Sequence, residues 1–268
     1  MFEYLVMIKL LVAIFVVLGL SIVTEKVSPM IAGILAGLPT GSAITLFFIA
    51  LQNGMGFASS AAIYNMIGLV AMQALLLAYY LASRRFAKHA LLLSAFFSIL
   101  GYLIVAYLLH FLVLDPLFAV LLPLASIPVF IYLFRGIENS RIKTPIKIGP
   151  AVILGRAVAA ALIILGVTEA ARFVGPAWAG LLTAFPTTTF PLLLIVHRTY
   201  DVEHVHTIIK NFPRGLASLI AYSLAVSLAY PVLGLYWGTA AAFASALAVC
   251  IVLYMIHLKK RVVEGGSE

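Results

Sequence analysis

Residues 27–40 read VSPMIAGILAGLPT, and residues 174–187 read VGPAWAGLLTAFPT. Val27, Pro29, Ala32, Gly33, Leu35, Pro39 and Thr40 return as Val174, Pro176, Ala179, Gly180, Leu182, Pro186 and Thr187. Pro176 lies 147 positions after Pro29, and the same offset relates Gly19 to Gly166, Gly68 to Gly215, Leu77 to Leu224, Tyr107 to Tyr254 and His110 to His257. A fixed period in an apolar chain marks an internal duplication, a common build of membrane transporters.

Composition supplies the solvent. Hydrophobic residues make up 64% of the chain and charged residues 10%, so there is too little polar surface to coat a water-soluble globule. A helix needs about 20 apolar residues to cross the hydrocarbon. Nine stretches qualify, near 4–24, 30–51, 60–83, 90–112, 116–134, 150–172, 177–197, 212–233 and 236–257. The first has no small-residue cleavage pattern behind it, so no removable leader is expected. Loops this short leave no room for a nucleotide-binding domain. Cys250 is the sole cysteine, which excludes an intramolecular disulfide and a thiolate cluster.

The net charge of +8 reports topology. With nine spans, nearly every Lys and Arg falls on one side, among them Lys26, Arg84, Arg85, Lys88, Arg135, Arg141, Lys143, Arg198, Lys210 and Lys259. Basic short loops mark the cytoplasm. The expected arrangement is a multi-pass protein of the cell membrane, N-terminus outside and C-terminus cytoplasmic. Contact with anionic membrane lipid follows from the same charge, and no nucleic-acid partner is expected. The expected fold class is all-α and polytopic. It has a first four-helix unit (1–112), a linker helix with a basic cytoplasmic loop (113–148), a second four-helix unit (149–258) and a tail (259–268). One intervening span makes the second unit enter from the opposite face, so the units are expected to be inverted repeats.

The chemistry is expected where both units are interrupted. Gly33, Gly37 and Gly41 share a helix face, as do Gly180, Ala184 and Thr188, and small faces let helix backbones approach closely. Pro39 and Pro186 fall in mid-span, where proline removes an amide donor and frees a carbonyl. In lipid that group needs a partner, and hydroxyls stand beside it. Candidate substrate-binding residues are therefore Pro39, Thr40, Ser42, Pro186, Thr187 and Thr188, with the deep amide Gln73 as a further cavity or interhelix group. Packing and kinking alone are the plainer explanation of the same Gly and Pro residues.

Glu169 is the one carboxylate inside an apolar run and the candidate coupling residue for a proton or cation. Arg172, three positions on, offers an interfacial ion pair as the alternative. Lys9 and Arg156 are repeat mates one turn into their helices; snorkelling to the interface accounts for them, with a pair of cations attracting an anionic substrate at both mouths as the alternative. His197, Asp201 and His204 share a face if helical, which is metal-ligand spacing. The other unit has no counterpart, and a solvated polar cap is the favoured reading, so no metal or other cofactor is assigned. Tyr64, Tyr79, Tyr80, Tyr102, Tyr107, Tyr222 and Tyr230 lie within spans or at their ends, and a tyrosine near a span end reads as an interface anchor. With no Ser–His–carboxylate set, HExxH or phosphate loop, no enzyme is expected.

The stretch AGLLTAFPTTTFPLLLIVHRTYDVEHVHTII resembles the GlpM-like family of small four-helix bacterial membrane proteins, through Ala179-Gly180-Leu181 and Phe185-Pro186-Thr187 and the polar lead-in from Asp201 to Ile208. The first unit shares Ala32-Gly33-Ile34-Leu35 and Pro39-Thr40, with Leu38 in place of the phenylalanine and no polar lead-in. The resemblance implies a four-helix ancestor that was duplicated and fused through 116–134. It also implies a link to exopolysaccharide production.

The expected function is a secondary transporter or exporter of a small molecule or ion, working by alternating access at the midplane, with a homodimer as a possible assembly. The alternatives are a channel or lipid-phosphate translocase, or a non-transporting subunit of an envelope polysaccharide pathway.

Overall fold

The computed structural model describes residues 2–26, 39–86, 89–112, 115–138, 149–200 and 202–265. Every regular element among them is helical. In chain order they are α1 (Phe2–Lys26), α2 (Thr40–Asn53), α3 (Met55–Arg85), α4 (Ala90–His110), α5 (Pro116–Leu133), α6 (Pro150–Ala170), α7 (Pro176–Thr183), α8 (Thr189–Thr199), α9 (Val202–Asn211), a 3-10 turn (Phe212–Gly215) and α10 (Leu216–Gly265).

Proline and glycine punctuate these helices. α5, α6 and α7 each begin on proline, whose fixed φ suits the first helical position and whose missing N–H costs nothing there. Asp115 also caps α5 by accepting from the Leu117 amide at 3.2 Å. Gly54 separates α2 from α3 at φ 89°, and Gly234 breaks α10 into two limbs at φ 71°. Both conformations are left-handed, where glycine carries no Cβ penalty.

Five helical stretches among the described residues are long and apolar enough to cross a membrane. The outward-facing residues of these helices are large and apolar: Leu92, Leu108, Leu117, Leu162 and Val232 are all exposed. An exterior of this kind belongs in lipid, and the chain is a helical membrane protein.

The expected spans 60–83, 90–112, 116–134 and 150–172 correspond to α3, α4, α5 and α6. Those at 212–233 and 236–257 fall in the two limbs of α10. The span expected at 177–197 is two short helices, α7 and α8, with 184–188 between them. Of the span expected at 30–51, the described part begins at Pro39. Residues 27–38, with Gly33 and Gly37, lie outside the described residues.

α3 is the central post, with 67% of its apolar stretch buried in the protein against 11% for α5. It packs on α4, α7 and α10. Against the first limb of α10 it runs antiparallel. Ser59 Oγ donates to the Ser227 carbonyl at 2.6 Å and Asn65 Nδ2 to Ser223 Oγ at 2.6 Å. Toward its far end Tyr80 packs on His206 of α9, ring centroids 4.8 Å apart. α1 and α6 are likewise antiparallel: Lys9 meets Thr168, Ala13 clusters with Ile164, and Leu18 packs on Ala157 and Ala160.

Small residues set these approaches. A Cβ on Gly180 would overlap the carbonyl oxygen of Ala61 in α3, and one on Gly68 would sit 2.6 Å from the Ala184 methyl. The small face read at Gly180 and Ala184 is therefore a contact face with α3.

Candidate functional site

α2 begins directly after Pro39, whose carbonyl accepts from the Ala43 amide at 2.8 Å. α7 ends at Thr183, and the chain then makes a series of turns. The Thr187 amide donates to Phe185 O at 2.7 Å, and the Phe190 amide to Pro186 O at 2.8 Å, starting α8. Local bonds thus replace the helical ladder across the break, as the lipid surroundings require.

The two interruptions face each other across a small cavity. Pro39, Thr40, Gly41 and Ser42 line one side, residues 184–189 the other, and Met72, Phe212 and Leu219 close it. Its volume is about 60 Å³, room for a few water-sized centres, since one needs roughly 10–15 Å³. Ser42 Oγ reaches the Thr183 carbonyl at 3.4 Å and Thr45 Oγ1 the Gly41 carbonyl at 2.9 Å. The Thr187 hydroxyl is different. The residue is 2% exposed and Oγ1 has no hydrogen-bond partner. A buried hydroxyl without a partner is costly, and this one belongs to a residue of the cavity wall. Gly41 leaves it room: a Cβ there would collide with Thr187 Oγ1.

Six of the sequence-derived candidates (Pro39, Thr40, Ser42, Pro186, Thr187 and Thr188) thus share one cavity. Gln73 does not. Its amide nitrogen donates to Ser126 Oγ of α5 at 2.6 Å, and Ser126 in turn donates to the Pro123 carbonyl at 2.7 Å. Gln73 ties the central post to the linker helix.

Glu169 lies elsewhere. Lys9 Nζ donates to its Oε1 at 2.7 Å and to Thr168 Oγ1 at 2.9 Å. Arg172 reaches Oε2 at 3.2 Å, and Gln52 Nε2 reaches Oε1 at 3.4 Å. The side chain of Lys9 is fully buried, so the snorkelling reading of Lys9 is corrected: a carboxylate on the neighbouring helix holds the ammonium inside. Gln52 is near the end of α2 and Thr40 at its start. With a rise of about 1.5 Å per residue, the Glu169 cluster and the cavity stand roughly 18 Å apart along one helix.

Arg156, the mate of Lys9, behaves differently. Its Nε donates to the carbonyl of Thr188, on the cavity wall, at 3.3 Å. Among the described residues no carboxylate pairs with it. The position 147 residues before Glu169 is Ile22.

Tyr102 is a second correction. It is 1% exposed, its hydroxyl donates to the Leu181 carbonyl near the end of α7, and its ring lies edge-on to Phe185. It braces the interrupted segment from α4. A single tyrosine in an apolar run carries no sequence signal of this. Tyr79, Tyr222 and Tyr230 are also buried. Tyr79 bonds His197 Nδ1 at 2.8 Å, while Ser83 bonds His206 Nε2 at 2.8 Å. Asp201 lies outside the described residues, and no group of three potential metal ligands occurs among those described.

No protein-family model, curated protein or solved structure matches the chain.

Proposed function

We propose that this protein is a secondary transporter or exporter of a small solute, working by alternating access. The carrying observation is the cavity between the two Pro–Thr interruptions, with the unpartnered, buried Thr187 hydroxyl in its wall. Interrupted helices at matching positions of two repeats are where such proteins bind substrate. Pro39, Thr40, Ser42, Pro186, Thr187 and Thr188 form the binding site in this reading, and Glu169 is the coupling residue. Glu169 acts from a distance, through α2, whose ends touch the cavity and the Lys9–Glu169 pair.

Inversion of the two units belongs to the same proposal. Applying the 147-residue offset to the contact between Ser59 and Ser227 gives His206 and Tyr80, and that pair is also in contact. A twofold axis across the antiparallel α3 and α10 generates each contact from the other. Opposed insertion of the two units belongs with that axis, and the cytoplasmic C-terminus rests on the placement of Lys and Arg. A GlpM-like ancestor rests on the AGL-x3-FPT stretch and the polar lead-in from Asp201 to Ile208.

The test uses the single cysteine. In a Cys250→Ala background, Thr188→Cys is reacted with a small water-soluble thiol reagent in sealed vesicles whose ion gradient is followed in parallel. Transport predicts reaction while the gradient holds. Reaction with a collapsed gradient selects the channel, and no reaction selects the non-transporting subunit.

A further inference from the structure

From Lys26 to Leu114 the chain contains no Asp or Glu, and Arg84, Arg85 and Lys88 stand together between α3 and α4. The two arginines serve different sides of α3. Arg84 donates to the Tyr80 hydroxyl at 2.9 Å and shares a polar pocket with Glu138, Glu203 and His206. Arg85 instead lines an apolar groove of about 400 Å³ between α3 and α4.

The rest of that groove is hydrocarbon and glycine. α3 and α4 are antiparallel here: Phe86 stacks on Phe97, centroids 5.6 Å apart, and a Cβ on Gly101 would stand 3.0 Å from the Ala78 methyl. Ala78, Ala82 and Gly101 are small, which leaves the groove between them. Leu81, Leu100 and Ile104 belong to the same lining and are exposed, so the groove opens on the outside of the bundle. Both helices are long and apolar enough to cross a membrane, and the outside at that level is lipid. From Ala78 to Arg85 the groove follows α3 for roughly 10 Å at about 1.5 Å per residue. That fits within one leaflet, whose hydrocarbon is about 15 Å deep.

We infer that this groove is a binding site for an anionic phospholipid of the bilayer. The acyl chain lies against Ala78, Ala82 and Gly101, and the headgroup phosphate meets the exposed Arg85, whose planar fork matches phosphate oxygens. The carboxylate-free run on both walls gives the site its preference for net negative headgroups over zwitterionic ones. Gly101 is next to Tyr102, the residue that braces the interrupted segment through the Leu181 carbonyl. A lipid that binds the folded chain here stabilises it by mass action.

The test is lipid retention by the purified full chain in dodecyl maltoside, read by native mass spectrometry and thermal unfolding. Dioleoyl phosphatidylglycerol is the probe. Dioleoyl phosphatidylcholine is the zwitterionic control and glycerol 3-phosphate the control without chains. The probe is expected to be retained saturably and to raise the unfolding temperature, and the controls to do neither. Arg85→Gln should weaken the probe about tenfold, the scale of one charged hydrogen bond. Arg84→Gln removes the same charge one residue away, on the other side of α3, and should leave binding nearly unchanged. Ile104→Trp, at an exposed position of the lining, should weaken the probe by crowding its chain. Equal losses in Arg84→Gln and Arg85→Gln reduce the effect to diffuse attraction and overturn the site. Equal retention of phosphatidylcholine, or binding of glycerol 3-phosphate as tight as the probe's, overturns it as well. No retained lipid also overturns it, and a dimer that Ile104→Trp dissociates then assigns the groove to a second copy of the chain. All these outcomes leave the transport reading untouched, since the groove and the Pro39–Pro186 cavity have no lining residue in common.

Discussion

The two Pro–Thr interruptions have the same residues and different structures. After Pro39 the helix α2 begins at once, and the hydroxyl of Thr45 donates to the Gly41 carbonyl. At Pro186 the chain leaves helix at Ala184 and regains it only at Thr189. Turn bonds cover the gap, and the Thr187 hydroxyl is left over. The second unit alone has Pro191, early in α8. Two prolines within six residues deny the backbone consecutive helical donors. The Pro39 side starts a helix, and the Pro186 side is a wall with unmet hydrogen-bonding capacity.

Substitutions at glycines probe that wall most strongly. Gly180→Ala drives a methyl into the Ala61 carbonyl of α3, where neither backbone yields cheaply, and should cost about 1–3 kcal/mol. Gly166→Ala meets open space on its helix and should be neutral or stabilising by up to about 1 kcal/mol. Thermal unfolding of the two proteins checks the contrast; equal losses would mean that close approach of α7 to α3 is not what Gly180 provides.

The mated cations come next. Lys9→Met removes the buried partner of Glu169 and should lower stability by about 1–3 kcal/mol. The remaining Arg172 and Gln52 contacts moderate the loss. Arg156→Gln keeps a donor for the Thr188 carbonyl and should stay within about 0.5 kcal/mol of the parent. Denaturation of both variants in the same detergent decides; the reverse order would contradict the greater structural weight given to Lys9 than to Arg156.

The smallest effect on stability is the most informative about the wall. Thr187→Val exchanges an unpartnered buried hydroxyl for a methyl of similar volume, so stability should hold or rise by up to about 1 kcal/mol, while ligand binding or transport is lost. Thr183→Val, by contrast, deletes the 2.8 Å bond to the Ala179 carbonyl and should cost about 1 kcal/mol. A destabilised Thr187→Val would show that the hydroxyl already has a structural partner.

Much of this wall was legible in the sequence because its causes are local. Proline removes a donor wherever it stands, and a common offset singles out Pro39 and Pro186. The expected symmetry sets 39–42 against 184–189, and both stretches line one cavity. Other features depend on distant partners. Lys9 and Glu169 are 160 residues apart, and nothing near Lys9 announces a carboxylate on another helix. Snorkelling was the sensible reading of a lysine near a helix end. Tyr102 likewise looked like an interface anchor, because its role depends on a carbonyl exposed by the end of α7. Gln73 was correctly seen as deep, but depth alone does not separate a cavity wall from a helix–helix tie.

Opposed insertion of the two units is tested most directly at His89 and Tyr236, which are repeat mates. Both are exposed; His89 itself has a positive φ, and Tyr236 lies two residues after Gly234, which has one too. In the Cys250→Ala background, His89→Cys and Tyr236→Cys are labelled with a membrane-impermeant maleimide from one side of oriented vesicles, then from the other. Inverted units predict that His89→Cys reacts from the cytoplasmic face and Tyr236→Cys from the opposite one; reaction of both from the same face contradicts inversion and, with it, the shared midplane site.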